Sequence, residues 1–222
     1  MATAMTYNSL LTDLQNYLER GTASDSIVYG QLNELINFGE RRCARELKIL
    51  GYIVPAVFTM QAGLAVYQKP DRWRQTVSVN VSGSPVGTSV RSPMFPRSYE
   101  YIRTYWPDDT QTNTTVYGIP GPPKFYADYN YQNIIVAPTP DAAYPAELVY
   151  YEEPPLLGPA NQSNWLTQYA PRLLLYASMI ESQVFLKKDT SSLQSMYDRE
   201  AAVLNGEDTQ RVLDRTSTRQ KD

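Results

Sequence analysis

Asn161–Gly206 reads NQSNWLTQYAPRLLLYASMIESQVFLKKDTSSLQSMYDREAAVLNG, and this stretch decides the fold. Leu173, Tyr176, Ala177, Ile180 and Val184 recur at helical spacing, and Leu174, Leu175, Met179 and Phe185 widen the stripe into neighbouring faces. A fully buried large side chain stabilises by roughly 1.5–3 kcal/mol, so exposing half a dozen of them would exceed the net stability of a domain. The helix that starts at Pro171 therefore needs other elements around it. Pro171 suits a first helical turn and disfavours helix at Ala170, which makes Trp165–Tyr169 a separate short turn. After Lys187 and Lys188, Asp189 or Thr190 caps a last helix carrying Leu193, Met196, Tyr197, Ala201 and Leu204, expected to close at Gly206.

The cover comes from the N-terminal end of the chain. A helix over about Thr6–Arg20 places Tyr7, Leu10, Leu11, Leu14, Tyr17 and Leu18 on one side and stops at Gly21. A second, about Ile27–Leu50, spaces Val28, Leu32, Leu35, Ile36, Cys43, Leu47 and Leu50 by three and four and ends at Gly51. Its residues Glu40, Arg41, Arg42, Arg45, Glu46 and Lys48 read as a charged outer face, with Arg41 and Arg45 in reach of glutamates a turn away.

Beyond Gly51 the period changes to two. Ile53–Met60 and Leu64–Tyr67 read as a hairpin, and Val77, Val79 and Val81 alternate with Ser78 and Asn80 before a turn into a strand near Val86–Val90. Ser98 caps a short helix that Pro107 stops. Residues 107–123 are too polar and broken for regular structure, after which strands resume at Lys124–Tyr129, Ile134–Ala137 and Glu147–Glu152. The expected class is α+β. Residues 1–51 and 156–206 form one helical bundle, 52–155 an inserted antiparallel β domain, and 207–222 a flexible, extended C-terminal arm.

Composition narrows the chemistry. The 222 residues carry a net charge of −3 with no Lys/Arg cluster, against a general nucleic-acid binder. Histidine is absent, which removes Ser-His and Cys-His catalysis and the commonest transition-metal ligand. The one cysteine, Cys43, lies in a helical pattern and reads as a packing residue. Glu152 and Glu153 are adjacent in a strand and point to opposite faces, so they do not converge on one bond. Asp108, Asp109 and Asp141 have no calcium-loop spacing, and Gly118-Ile119-Pro120-Gly121 lacks the Lys-Ser/Thr of a phosphate loop. No catalytic, cofactor-binding or metal-ligating residue is expected, and no membrane partner, since no apolar run reaches the roughly 20 residues of a span. The 18 tyrosines suit contact surfaces as well as strand faces.

Three segments together resemble the bacteriophage head-to-tail adaptor proteins that dock under the portal ring: GERRCARELKILG at 39–51, PTPDAAYPAELVYYEEPPLL at 138–157, and NQSNWLTQYAPRLLLYASMIESQVFL at 161–186 running into a final helix and charged tail. The resemblance implies a structural virion protein of the neck, made in the host bacterial cytoplasm. It implies a homo-oligomer, a ring of twelve subunits between the portal protein and tail or nozzle proteins, with packaged DNA passing through the channel without specific binding. It also implies a C-terminal arm that orders on the portal. In the tail, four acidic and four basic residues surround two aliphatic ones, and Arg211 and Arg215 flank Val212 and Leu213, which makes these four the candidate portal-binding residues. A β-rich phage module for receptor or carbohydrate recognition is the alternative, carried by the tyrosines and the long loop.

Overall fold

The structure, a computed structural model, describes residues 4–83, 91–107 and 119–219, with side chains in the last helix described as far as Arg211. The strand expected near Val86–Val90 and residues 108–118 of the long loop lie outside the described residues. In chain order the elements are α1 (Tyr7–Leu18), α2 (Ser26–Glu46), β1 (Ile53–Met60), β2 (Val66–Gln68), β3 (Trp73–Ser82), β4 (Arg91–Pro93), β5 (Phe95–Pro96) and α3 (Tyr99–Tyr105). There follow β6 (Phe125–Asp128), β7 (Asn133–Ala137), β8 (Tyr144–Glu152), α4 (Trp165–Tyr169), α5 (Pro171–Phe185) and α6 (Ser191–Arg219). The class is α+β. The chain divides into two compact units, a helical one of residues 1–52 with 153–222 and a sheet unit of residues 53–152.

In the helical unit, caps set the boundaries. The Thr6 hydroxyl accepts from Ser9 N–H at 3.2 Å while Ser9 Oγ accepts from Thr6 N–H at 2.8 Å, a reciprocal capping box at the start of α1. Glu19 at φ 53° and Gly21 at φ 80° end that helix. Asn164 and Thr167 build a second capping box for α4, and Pro171 is the first residue of α5. The second helix ends earlier than its apolar spacing suggests. Leu47 is already extended, so Leu47 and Ile49 both turn inward while Lys48 stays out, a period of two where the sequence reads as three or four. Gly51 then lies in a short 3-10 turn, where a β-carbon would come within 2.3 Å of Trp165 Nε1.

α5 is the covered helix, and the expected stripe is covered along most of its length. Leu173, Leu174, Leu175, Ala177, Ser178, Met179, Ile180 and Ser182 are buried, whereas Val184 and Phe185 are exposed. The cover is α2. A β-carbon on Gly39 would lie 2.8 Å from Ser178 N and 2.8 Å from Ser178 Oγ, so the two helices touch through their smallest residues. Ser182 tolerates burial by donating its hydroxyl to Ser178 O at 2.7 Å.

Among the described residues the sheet unit holds two four-stranded sheets, ordered β1-β8-β3-β4 and β2-β7-β6-β5. β1 and β2 do not form the expected hairpin. β1 pairs with β8 over eight residues from Ile53↔Tyr151 to Met60↔Tyr144, while the three residues of β2 join β7 in the other sheet. The long ladder outweighs what so short a strand offers. One pairing, β5 with β6, is parallel, so the unit is not wholly antiparallel. Val77 is exposed because the register shifts between Thr76 and Ser78, taking it off the inward face of Val79 and Val81. The buried faces of both sheets share one apolar cluster that includes Met60, Val79, Val136 and Leu148. The far side of the second sheet packs Ile135 and Ala137 against Ile102 of α3. Ser98 caps α3 by accepting from Tyr101 N–H at 3.2 Å.

Leu174→Ala and Ile180→Ala are each expected to cost about 2–5 kcal/mol by opening a cavity. Ser178→Ala is expected to be neutral or slightly stabilising, because the Ser178 hydroxyl is buried without a hydrogen-bond partner. Ser178→Val should cost about 1–3 kcal/mol by overpacking against Gly39. Urea melts of the four variants check this, and equal effects of the two Ser178 changes would refute the close approach.

Candidate assembly surface

The acidic residues of the helical unit play structural parts. Glu40, expected on the charged outer face, is fully buried. Its position follows from Gly39: once that residue sits against α5, the next one points into the seam between α2 and the segment leading to α4. There Glu40 Oε2 accepts from Leu157 N–H at 2.9 Å and Oε1 from the Asn164 side-chain amide. The Asn37 amide, its nitrogen turned inward, donates to Glu40 Oε2 at 3.1 Å and to Leu157 O at 3.0 Å. Burial pushes the carboxyl up to about 7, against the pull of the Leu157 and Asn164 donors. Such a raised carboxyl can mark general acid–base chemistry, but this one is enclosed by groups of its own chain. Its partners make it a brace that fixes the α4 capping residue. Cys43, on the same helix, is buried, and burial pushes its thiol up to about 12, as suits packing and not nucleophilic attack.

Of the arginines, Arg42 turns inward. Its Nε donates to Glu46 at 3.1 Å, Nη1 to Glu181 of α5 at 3.3 Å and Nη2 to Gln194 of α6 at 2.6 Å. The guanidinium also lies over the Tyr197 ring, 5.2 Å from its centroid. One side chain thus joins three helices. Arg41 pairs with Glu153 at 3.2 Å, while Glu152 pairs with Arg72 at 2.6 Å, so the two adjacent carboxylates have different partners and do not form a catalytic pair. Among the described residues, no three or more His, Cys, Asp or Glu side chains are grouped to hold a metal ion, and no helix is long and apolar enough to cross a membrane.

α6 does not close at Gly206. It runs through to Arg219, so residues 207–219 are helical and not an extended arm. A glycine costs only about 1 kcal/mol inside a helix, and two contacts offset it. Asp208 accepts from Leu50 N–H through both carboxylate oxygens, at 3.1 and 3.2 Å, which ties the turn after Gly206 to the 3-10 turn that begins at Leu50. Glu207 and Arg211 form an i,i+4 pair at 3.8 Å. Of the four candidate portal-binding residues, Arg211 is exposed and carries this loose pair; the side chains of Val212, Leu213 and Arg215 lie outside the described residues. Candidate contact residues nearer the middle of α6, of which the sequence reading named only Leu204, line a groove. Glu200, Val203, Leu204 and Glu207 border a cavity of about 250 Å³ closed on its other side by Tyr169 and Leu173. Val203 falls outside the apolar spacing of the helix, and that misfit is the available signal.

A long, largely polar helix with an open groove beside it fits a protein that works by contact. The model of the SU10 adaptor protein family matches residues 5–220. This chain belongs to that family, a family of phage head-tail adaptors. No curated protein matches the adaptor. Family membership assigns it a structural adaptor role and a phage setting.

Because burial raises the Glu40 carboxyl from its ordinary 4.5 to about 7, its contribution to stability is full below pH 4.5 and lost as pH rises through 7. Relative to Glu40→Gln, which does not titrate, the adaptor should lose up to about 3 kcal/mol between pH 4.5 and 7.5. Denaturant melts of both proteins across that range measure the difference. A difference independent of pH would mean that the three donors, and not burial, set the titration.

Proposed function

We propose that this adaptor forms a ring of twelve subunits beneath the portal protein, joins the capsid to tail or nozzle proteins, and continues the channel through which packaged DNA passes. The observation that carries the proposal is the family match across 5–220, which includes the whole of α6. In this reading, residues 1–51 and 156–206 act as one bundle, 52–155 is an insertion looped out of it, and 207–222 is the portal-docking arm. The helical start of that arm suits docking. An exposed helix with few apolar residues has little stability of its own beyond its last packed turn, so it gains most from lying on a preformed surface. Arg211 and Arg215 would meet acidic groups of the portal, and Val212 and Leu213 a small apolar patch between them. The exposed aromatic side chains Phe95, Tyr105 and Tyr131 of the sheet unit are the contact area we assign to tail or nozzle proteins. An acidic balance of charge keeps a channel wall from adhering to phosphate.

Deletion of Arg211–Asp222 is expected to leave the melting temperature nearly unchanged, since the Asp208 contact remains, and to abolish attachment to the portal protein of the same phage. Electron microscopy of mixtures of portal with the full-length and shortened chains reads the outcome. Equal decoration by the shortened chain would sink the arm and leave other surfaces of the helical unit as the docking site. In the absence of portal, mass measurement in solution should find a monomer or weak association, because the portal supplies the template for closure.

A further inference from the structure

Two surfaces of the helical unit remain unused by its internal packing. The first is a ridge on the outer side of α2, where Phe38, Arg41 and Arg45 follow at spacings of three and four. Phe38 is 41% exposed. The cavity they border, about 390 Å³, runs beside Arg42 and Glu181. The second is the groove between the start of α5 and α6, flanked by Tyr169 and Val203, which are 67% and 56% exposed.

These surfaces lie on different sides of the unit. Gln194 and Asp208 tie α6 to Arg42 and Leu50, which fixes the flank turned toward α2 and its continuation. With 3.6 residues per turn, Val203 lies opposite Gln194, and Glu200 and Glu207 lie about 120–140° round the helix from it. The ridge is basic and aromatic; the groove has apolar walls and two carboxylates, Glu200 and Glu207, against the one guanidinium of Arg172. Glu207 is held by Arg211 only across 3.8 Å, with both side chains more than half exposed, so an incoming arginine can replace that partner. Complementary patches on two different sides of one body make a head-to-tail contact, which repeats around a ring, whereas a patch that fits itself makes a closed dimer.

We propose that the Phe38–Arg45 ridge of one subunit seats in the Tyr169–Val203 groove of the next, with the Phe38 ring between Tyr169 and Val203 and Arg45 on Glu200. The occupant of the groove is a second copy of this chain. The inference rests on the ring reading above and assigns its subunit contact. Exposed aromatic and arginine side chains meeting an apolar, acid-rimmed pocket have the composition of an interface centre.

Cysteine cross-linking of the full chain tests it, because buried Cys43 gives no background. Phe38→Cys and Val203→Cys change exposed positions and should leave folding intact; Phe38→Cys with Tyr169→Cys is a second geometry for the same contact. Mildly oxidised at high concentration and on the portal ring, the chain bearing both changes should give a ladder of covalent multimers. A mixture of the two single variants should stop at dimers, and each alone should give none. Adding Arg45→Glu should lower the ladder yield at least tenfold, and Glu200→Arg should restore it. Dimers from a single variant alone would overturn the proposal, as would absence of the ladder in both cysteine geometries. If portal attachment persists without a ladder, the subunit contact is wrong and the portal reading stands; a ladder without attachment supports the contact and counts against the portal reading.

Discussion

The close approach of α2 and α5 at Gly39 and Ser178 is the constraint on which the helical unit depends. With a β-carbon on residue 39 placed 2.8 Å from the backbone of the opposite helix, only glycine fits, and the axes come close enough to bury the next residue as well. That residue is Glu40. A buried carboxylate without donors would cost several kcal/mol, so the contact is viable only because Leu157 N–H, Asn164 and Asn37 converge on it. The same donors fix the 155–164 segment and hence the cap of α4, and Trp165 of α4 closes over Gly51. Three residues along α2, Arg42 carries the consequence outward to α5 and α6.

The sheet unit follows a different rule, that a strand covered on both faces must be apolar along its whole length. β7 reads Asn-Ile-Ile-Val-Ala because Ile134 and Val136 meet the first sheet while Ile135 and Ala137 meet α3. β8 is covered on one face only, and it alternates: Tyr144, Ala146, Leu148 and Tyr150 are buried and the residues between them are not. The two strand patterns therefore report the layer order of sheet, sheet and helix α3.

What could be read from the sequence was what depends on near neighbours. The caps at Thr6, Ser98 and Asn164 and the proline start of α5 are local bargains between a side chain and the next turn, and they lie where the pattern puts them. What could not be read depends on partners far along the chain. Glu40 looks like any surface glutamate until residues 157 and 164 are brought to it. Val184 and Phe185 look like core, yet they fall in the last turn of α5, past its buried length. Leu47 fits a helix by spacing, yet it and Ile49 are buried by extended backbone. The assembly groove was hidden for a similar reason: Val203 reads as an ordinary exposed residue, and only the placement of Tyr169 across from it makes a pocket.

Gly206 shows how small the margins are. Read alone, a glycine followed by Glu and Asp is a reasonable helix end, and its cost of about 1 kcal/mol is comparable to the gain from one good hydrogen bond. The contact of Asp208 with Leu50 N–H is charge-assisted and therefore stronger than a neutral bond, which is enough to carry α6 past the glycine. Beyond it Thr209, Gln210 and Arg211 are exposed, and a helical stretch of about a dozen residues without packing is marginal in water. A stretch with this balance can be docked by a partner at little entropic cost, since its first turns are already helical, and can be released without disturbing the packing around Gly39.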